Sequence, residues 1–241
     1  MSGAAGQHAA RPRFTVRAVL FDLDGTLADT APDLGGAVNR MRERRGLAAL
    51  PLARLRPVAS AGARGMLGVG FGLAPADAGY GALRDEFLAE YEAALDRDSR
   101  LFDGVAECLA ALGARGLPWG VVTNKATRFT GPVVAGLGLG GAAVVIAGDT
   151  TPHAKPHPEP LYEACRRLGV APHEAVYVGD DLRDVQAARA CGMPSVAAAY
   201  GYLGDGPDLV VWGADAVIDT PLALLDLLVD APPLKRGTAA V

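Results

Sequence analysis

Two aspartates lie one residue apart, directly after an apolar stretch near the start of the chain. The segment AVLFDLDGTLADT begins at Ala18 and places Asp22 and Asp24 after four apolar residues. Carboxylates at positions i and i+2 of an extended chain point to the same side, so they repel each other. We therefore expect a cation between Asp22 and Asp24, and a sharp turn at Gly25 and Thr26 that leads the chain away from it.

Polar residues also follow three later apolar runs. They are Thr123, Asn124 and Lys125 after the second run, Lys155 in the loop after the third, and Asp180 and Asp181 after the fourth, with Asp184 one helical turn later. Open parallel sheets bind ligands beyond the carboxyl ends of their strands. We therefore expect these groups to meet at one sheet edge, where the acids can hold a divalent cation and the hydroxyl and ammonium groups can hold an anion.

This combination of groups is suited to phosphoryl transfer. Mg²⁺ prefers oxygen ligands and binds one or two carboxylates together with a substrate phosphate. An aspartate can attack phosphorus to form an aspartyl phosphate, which water then cleaves. A second carboxylate two residues later can protonate the leaving oxygen and afterwards activate water, while lysine and threonine stabilise charge on the transferred group.

The rest of the pattern predicts the elements that position these residues. Apolar runs typical of strands lie at 17–21, 119–123, 143–147, 175–179, 195–199 and 216–219, and helical patterns lie at 104–115, 127–136, 159–168 and 182–191. Strands buried on both faces read as continuous apolar runs, and their alternation with helices indicates parallel crossovers. The predicted fold class is α/β, with a doubly wound (Rossmann-like) parallel sheet.

One interval interrupts this alternation. Residues 31–100 contain only helical stretches, at 32–46, 51–67 and 77–97, which predicts an inserted small α-helical cap domain. The α/β core would then comprise residues 15–30 and 101–230. Residues 1–14 are expected to form a disordered N-terminal tail and residues 231–241 a flexible C-terminal tail.

Composition excludes several classes of protein. Half of the 241 residues are hydrophobic and 21% are charged, which excludes a disordered chain. The net charge of −4 gives no electrostatic footprint for nucleic acid, and no apolar run reaches the roughly 18 residues that cross a bilayer. Three widely spaced cysteines do not form a disulfide framework. We expect a cytoplasmic protein that acts without nucleic acid or membrane, as a monomer or homodimer.

The motifs DLDGTL, VVTN, KPHPEP and GDDLRD resemble the four ordered motifs of the haloacid dehalogenase superfamily, over the range from Ala18 to Asp219. The helical insertion directly after the first motif is similar to the helical cap of that superfamily. The resemblance implies that the cation is Mg²⁺ and that Asp22 is the nucleophile and a metal ligand. It makes Asp24 the general acid/base, with its backbone carbonyl on the metal, and Asp180 the third protein ligand.

The same resemblance assigns the groups around the phosphate. Thr123 and Lys155 would hold the phosphoryl group, with Gly25, Thr26 and Asn124 beside it. Asp184 would orient Lys155 or a metal-bound water, and Asp181, which stands where relatives often have serine, has an open role near it. The chain has three lysines against twenty arginines, so a lysine at position 155 indicates a need for a compact ammonium. Lys125 is better explained as a solvated loop lysine, and His153 and His157 as loop residues rather than metal ligands, since prolines exclude a helix there.

Asp24 favours phosphoester hydrolysis over dehalogenation, because dehalogenating members of the superfamily have no leaving oxygen to protonate. GVVTNK and KPHPEPL resemble phosphoglycolate phosphatases, and SAGARGM, GDDLRD and YGYLG resemble N-acetylmuramic acid 6-phosphate phosphatases. Both groups imply a small phosphorylated metabolite that also carries a carboxylate. Arg64 is either the partner of that carboxylate or an ordinary arginine of the cap. A sugar phosphomutase and a non-catalytic phosphate-binding regulator are the alternative functions.

Overall fold

The computed structural model describes residues 13–204 and 206–231. The predicted tails lie largely outside these ranges, at residues 1–12 and 232–241. Phe14, which we had placed in the N-terminal tail, is the first residue of a strand, and Ala231, placed in the C-terminal tail, donates its amide to the carbonyl of Val16 at 3.0 Å.

The secondary structure follows the predicted alternation. In chain order the strands are β1 (Phe14–Val16), β2 (Ala18–Phe21), β3 (Ala28–Asp29), β4 (Arg100–Leu101), β5 (Trp119–Val122), β6 (Val144–Ile146), β7 (Ala175–Gly179), β8 (Ser195–Ala198), β9 (Ala216–Ile218) and β10 (Leu228–Asp230). The helices are α1 (Ala31–Glu43), α2 (Leu52–Leu55), α3 (Gly62–Phe71), α4 (Tyr80–Glu92), α5 (Val105–Ala114), α6 (Thr127–Gly136), α7 (Glu159–Leu168), α8 (Leu182–Ala190) and α9 (Leu209–Trp212). Three 3₁₀ segments lie at Arg56–Ala61, Pro172–Glu174 and Pro221–Leu227.

Within the described residues, six parallel strands form the central sheet in the order β6-β5-β2-β7-β8-β9. Each apolar run of the sequence supplies one of these strands. Val19 and Phe21 of β2 pack on one face of the sheet with α5 and α6, whereas Leu20 packs on the other face with α7. Because both faces are covered, the strands are almost entirely apolar, with Tyr177 of β7 and Ser195 of β8 as the exceptions. The predicted doubly wound α/β fold is confirmed.

The helices α1, α2, α3 and α4 pack together around their own apolar cluster, and we call them the helical layer. The prediction of one helix over 51–67 is wrong: α2 ends at Leu55, a 3₁₀ segment follows, and α3 begins at Gly62. Gly62, with φ of +56°, separates the 3₁₀ segment from α3, and Pro57 lacks the amide hydrogen that would continue the hydrogen bonds of α2.

Two short strand pairs were not predicted. β3 and β4 form an antiparallel pair, with Ala28 opposite Leu101 and Asp29 opposite Arg100, and this pair lies where the chain enters and leaves the helical layer. The domain boundaries themselves stay a prediction. β1 and β10 form a parallel pair near the two ends of the described chain. Among the described helices, none is both long and apolar enough to span a membrane, and all three cysteines are free and buried.

Candidate active site

Asp22 lies at the carboxyl end of β2, where the strand leaves the sheet and enters a turn. Its side chain is buried, and its Oδ1 atom accepts a hydrogen bond from the backbone amide of Leu23 at 2.7 Å. The Nζ atom of Lys155 lies 3.0 Å from the same oxygen. The carboxylate and the ammonium group, which are far apart in sequence, are therefore in direct contact.

Lys155 is fixed from several sides in a buried network. Its Nζ atom donates to the carbonyl oxygen of Val122 at 3.0 Å and to Asp184 Oδ1 at 2.7 Å, and it lies 2.7 Å from the hydroxyl oxygen of Tyr177. The side-chain amide of Asn124 binds the backbone amide and carbonyl of Lys155, both at 2.9 Å. Asn124, which we expected beside the phosphate, thus holds the loop that carries the lysine.

Asp180 follows β7 and is completely buried. Its Oδ1 atom accepts a hydrogen bond from the hydroxyl of Thr26 at 2.9 Å, and its Oδ2 atom accepts from the hydroxyl of Ser60 at 3.1 Å and from the backbone amide of Tyr202 at 2.9 Å. Gly25 packs against this carboxylate: it has φ of +88°, and a Cβ atom there would lie 2.1 Å from Asp180 Oδ2. Only glycine fits this turn.

Three buried carboxylates converge beside Lys155. One oxygen of each of Asp22, Asp180 and Asp184 lies within 4.8 Å of the others. Asp184 contacts Lys155, as the predicted orienting role requires, and its Oδ2 atom accepts from the backbone amide of Asp181 at 3.1 Å. A cluster of carboxylate oxygens at this spacing fits a hard divalent cation.

The pKa values of this cluster indicate a deficit of positive charge. Burial raises the pKa of Asp22 to about 7; Lys155 opposes this rise, and the charges of Asp184 and Asp24 add to it. Burial and the neighbouring Asp22 and Asp184 carboxylates raise the pKa of Asp180 well above its usual value. Burial disfavours the charged form of Lys155, but Asp184 and Asp22 outweigh it and raise the lysine pKa. A divalent cation would favour the ionised forms of Asp22 and Asp180.

The side chain of Asp24 has hydrogen-bond partners of its own, outside this cluster. Its Oδ1 atom accepts hydrogen bonds from the hydroxyl of Thr30 at 2.5 Å and from Nζ of Lys125 at 2.8 Å. The interpretation of Lys125 as a solvated loop lysine is wrong, since its side chain is only 6% exposed. Lys125 follows the end of β5, and this position brings its ammonium group to Asp24. The spacing of the two residues in the sequence does not reveal this contact.

Thr123 and Asp181 occupy the ends of neighbouring elements. Thr123 is buried, and its hydroxyl accepts from the backbone amide of Lys125 at 3.2 Å. Asp181 is the N-cap of α8 and accepts from the backbone amide of Arg183 at 2.9 Å and from its guanidinium at 2.7 Å. Burial opposes ionisation of Asp181, but the hydrogen bonds from Arg183 outweigh it and lower the pKa. Arg183 also donates to the carbonyl of Ser60 at 2.8 Å, so Asp181 supports a contact with the 3₁₀ segment between α2 and α3.

A cavity of about 390 Å³ opens over these groups, between the sheet edge and the helical layer. Asp22, Asp24 and Lys155 line its floor, and Arg64 of α3 lines its wall. The apolar side chains of Leu34, Phe87, Leu88, Tyr91 and Phe129 also line the cavity, together with the cationic side chains of Lys125, Arg128 and Arg183.

Some residues at the site were not predicted. Ser60 and Tyr202 lie within motifs noted in the sequence, SAGARGM and YGYLG, but nothing in those motifs indicates contact with Asp180. Tyr177 could have been found, because it is the polar residue in an otherwise apolar strand, AVYVG.

The site lies between a parallel sheet and the helical layer. It has an aspartate at the end of β2, with a lysine and two further acids opposite. This arrangement matches a known class of enzyme. The family model of the haloacid dehalogenase-like hydrolases covers residues 16–192. The chain belongs to this family of hydrolases, which confirms the resemblance of its four motifs.

Two curated relatives and one crystal structure show which members of the family the chain resembles. The chain is 52% identical over 207 residues to a phosphoglycolate phosphatase of Xanthomonas campestris, covering 85% of this chain and 93% of that protein. It is 42% identical over 217 residues to the N-acetylmuramic acid 6-phosphate phosphatase of Pseudomonas aeruginosa, covering 90% and 96%. A crystal structure from Haemophilus somnus, described as a predicted phosphoglycolate phosphatase, has a TM-score of 0.77 at 27% identity and covers 88% of this chain and 97% of that one.

Proposed function

We propose that this protein is a Mg²⁺-dependent phosphomonoesterase that acts through an aspartyl-phosphate intermediate on a small phosphorylated acid. The observation that carries the proposal is the contact of Asp22 with Lys155 beside Asp180 and Asp184, with the Asp24 carboxylate held separately over the same cavity. This arrangement provides a nucleophile, a cation for the phosphoryl oxygens and an independent proton donor.

In the first step a carboxylate oxygen of Asp22 attacks the phosphorus atom. The bond between phosphorus and the ester oxygen breaks, and the proton carried by Asp24 passes to that leaving oxygen. Lys155 and the hydroxyl of Thr123 would stabilise the charge on the transferred phosphoryl oxygens.

In the second step water cleaves the aspartyl phosphate. Asp24, now ionised, takes a proton from the water as its oxygen attacks phosphorus, and the bond from phosphorus to the Asp22 oxygen breaks. Inorganic phosphate leaves, and both carboxyl groups return to their initial state.

The acidic cluster fits Mg²⁺, with Asp22, Asp180 and the backbone carbonyl of Asp24 as the proposed protein ligands. When bound, the ion neutralises charge on the phosphate and on the buried carboxylates. The high pKa of Asp22 and Asp180 in the protein alone supports this requirement for a cation.

Arg64 is proposed to bind a carboxylate of the substrate. It lies in α3 on the cavity wall and is exposed, and within the described part of the chain it forms no ion pair. The relatives named for phosphoglycolate and for N-acetylmuramic acid 6-phosphate act, by those names, on phosphates that also carry a carboxylate. A guanidinium group at this place would recognise that shared feature.

The test compares kcat/KM for 2-phosphoglycolate and N-acetylmuramic acid 6-phosphate in the presence of Mg²⁺, with Asp22→Asn as the inactive reference. We expect release of inorganic phosphate from at least one substrate. A phosphomutase would instead return an isomeric phosphate ester, and a binding protein would give no turnover with or without Mg²⁺.

Arg64→Ala then tests the carboxylate contact. We expect KM for the better substrate to rise about tenfold or more, with little change for p-nitrophenyl phosphate, which has no carboxylate. Arg54→Ala is the matched control, because Arg54 is an exposed arginine of α2 that does not line the cavity. An unchanged KM in Arg64→Ala would contradict the assignment.

A further inference from the structure

Lys125 is a buried lysine whose ammonium contacts the side chain of Asp24. The Nζ to Oδ1 distance is 2.8 Å, and the lysine side chain is 6% exposed. A buried ammonium is costly unless it is paired, and a solvated loop offers an easier place for a lysine. The geometry therefore gives Lys125 a specific task at Asp24.

The two donors on Asp24 meet at a single oxygen. Thr30 donates to Oδ1 at 2.5 Å and Lys125 donates to the same atom, while Oδ2 accepts no hydrogen bond from the residues that the structure describes. A carboxylate fixed by two donors on one oxygen cannot rotate freely. Its second oxygen is then the one available to exchange a proton in the cavity that Asp24 lines.

Lys125 is itself supported from the helical layer. Its Nζ atom lies 4.9 Å from the centre of the Tyr91 ring, at a distance typical of a cation–π contact. Tyr91 is held between Phe87, with ring centres 6.4 Å apart, and Phe129, at 5.4 Å. An aromatic stack that includes α4 thus sets the position of a lysine that belongs to the sheet edge.

We propose that Lys125 is a positioning residue that holds Asp24 in the orientation for proton transfer, and that Tyr91 supports it from α4. The proposal rests on the proposed function, in which Asp24 gives its proton to the leaving oxygen as the bond from that oxygen to phosphorus breaks and the bond from phosphorus to Asp22 forms. The ammonium of Lys125 transfers no proton; it fixes the carboxyl that does.

The dependence on the leaving group distinguishes this role from a structural ion pair. An alcohol needs a proton in order to leave, whereas p-nitrophenolate does not. In Lys125→Met we expect kcat for the better carboxylated alkyl phosphate to fall about a hundredfold, the order of a general acid contribution, with KM within about threefold. The rate constant of the nitrophenolate burst, measured in the pre-steady state, should fall less than about threefold.

A matched control and a conservative variant complete the comparison. Arg128→Met removes another cation that lines the cavity, but one that lies 3.7 Å from Glu92, so its effects should not depend on the leaving group. Lys125→Arg retains a charged donor and should recover about tenfold of the lost kcat. Equal losses for alkyl and aryl phosphates in Lys125→Met would overturn the proposal.

A double-mutant cycle with Asp24→Asn supplies the decisive measurement. If Lys125 acts through Asp24, Lys125→Met should add less than about a threefold loss in the Asp24→Asn background. The same loss in both backgrounds would mean that Lys125 acts on the substrate itself, and the proposal would be wrong.

Thermal melts establish whether each variant folds. Should Lys125→Met not fold, Tyr91→Leu replaces it in the same assays, because it removes the ring that lies against the Lys125 ammonium. Tyr91→Leu should then show the same leaving-group dependence, and equal losses for alkyl and aryl phosphates would overturn the proposal. Phosphate release by the wild type and its absence in Asp22→Asn are measured first, so that failure of the proposed function is seen separately.

Discussion

The carboxyl group of Asp22 combines two requirements that conflict. It must be ionised to attack phosphorus, yet burial and the neighbouring Asp184 and Asp24 carboxylates raise its pKa to about 7 despite the contact with Lys155. In an unfolded chain the same carboxyl ionises near its usual pKa of 3.8. Between about pH 4 and pH 7 the metal-free folded state therefore retains a proton on Asp22 that the unfolded state has released. The stability of the folded state depends on pH in this range.

The sign of this dependence gives a prediction for Asp22→Asn. The stability contributed by the protonated Asp22 carboxyl is fully present below about pH 4 and is lost as pH rises to about 7, since only the unfolded chain ionises freely in this range. Asparagine stays neutral, so in EDTA the melting temperature of the variant should exceed that of the wild type by a margin that grows between these pH values and then levels off.

Thermal melts in EDTA at several pH values measure this margin. Mg²⁺ should reduce it, because the ion stabilises the ionised wild-type carboxylate more than the amide. A margin that does not change with pH would contradict the assignment of a raised pKa to Asp22.

At the scale of elements, two glycines of α3 have different surroundings. A Cβ atom at Gly70 would lie 2.6 Å from Cγ1 of the buried Val38 in α1, whereas a Cβ atom at Gly68 would meet nothing within 4 Å. Gly70 therefore permits the close approach of α3 to α1, and Gly68 does not contribute to it.

Alanine at each position tests this difference within one helix. Gly70→Ala should destabilise the protein by about 1–3 kcal/mol, because the stiff side chain of Val38 must move. Gly68→Ala should stabilise it by about 0.5–1 kcal/mol, because alanine loses less conformational freedom in a helix. Urea unfolding monitored by circular dichroism measures both, and changes of the same sign would refute the packing argument.

The elements also show how far the sequence could be interpreted. The strands of the central sheet were predicted to within a residue or so at each end, because burial on both faces makes each a continuous apolar run. β3 and β4 have two residues each, and β1 and β10 have three. Segments this short show no periodicity, and their pairing depends on residues distant in the chain.

The candidate site likewise contains residues that the sequence could predict and contacts that it could not. Asp22, Thr123 and Asp180 could be chosen because each follows a strand, and parallel strands bring their carboxyl ends to one edge. The burial of Lys125 and the contact of Ser60 with Asp180 could not be predicted, since both require the helical layer or a strand-end loop to fold back over that edge.

At the scale of the whole molecule, Asp33 joins the two segments that connect the helical layer to the sheet. It lies in the first turn of α1, is buried, and accepts hydrogen bonds from the backbone amides of Asp98 and Ser99, both at 3.0 Å, and from the hydroxyl of Ser99 at 2.5 Å. The segment that leads from α4 back to the sheet is thus bound to the start of α1, next to the β3–β4 pair.

Asp33→Ala should therefore be strongly destabilising. It takes the buried acceptor away from the backbone amides of Asp98 and Ser99, which we expect to cost about 1–3 kcal/mol of unfolding free energy. Asp77→Ala is the matched control: Asp77 also accepts from a backbone amide, that of Ala74 at 2.7 Å, but at an exposed site. Denaturant unfolding of both variants checks the prediction, and similar losses would contradict it.

Tyr202 sets a limit on how freely this protein can be recombined with its relatives. Its hydroxyl accepts from the amides of Thr30 and Ala31, at 2.7 and 2.9 Å, while its own backbone amide donates to Asp180. A chimera that exchanges residues 31–99 for a relative's segment would keep Tyr202 from one parent and bring the first turn of α1 from the other. Helical segments should therefore be exchangeable only when the loop around position 202 is transferred with them, so the natural unit for engineering specificity is discontinuous in sequence.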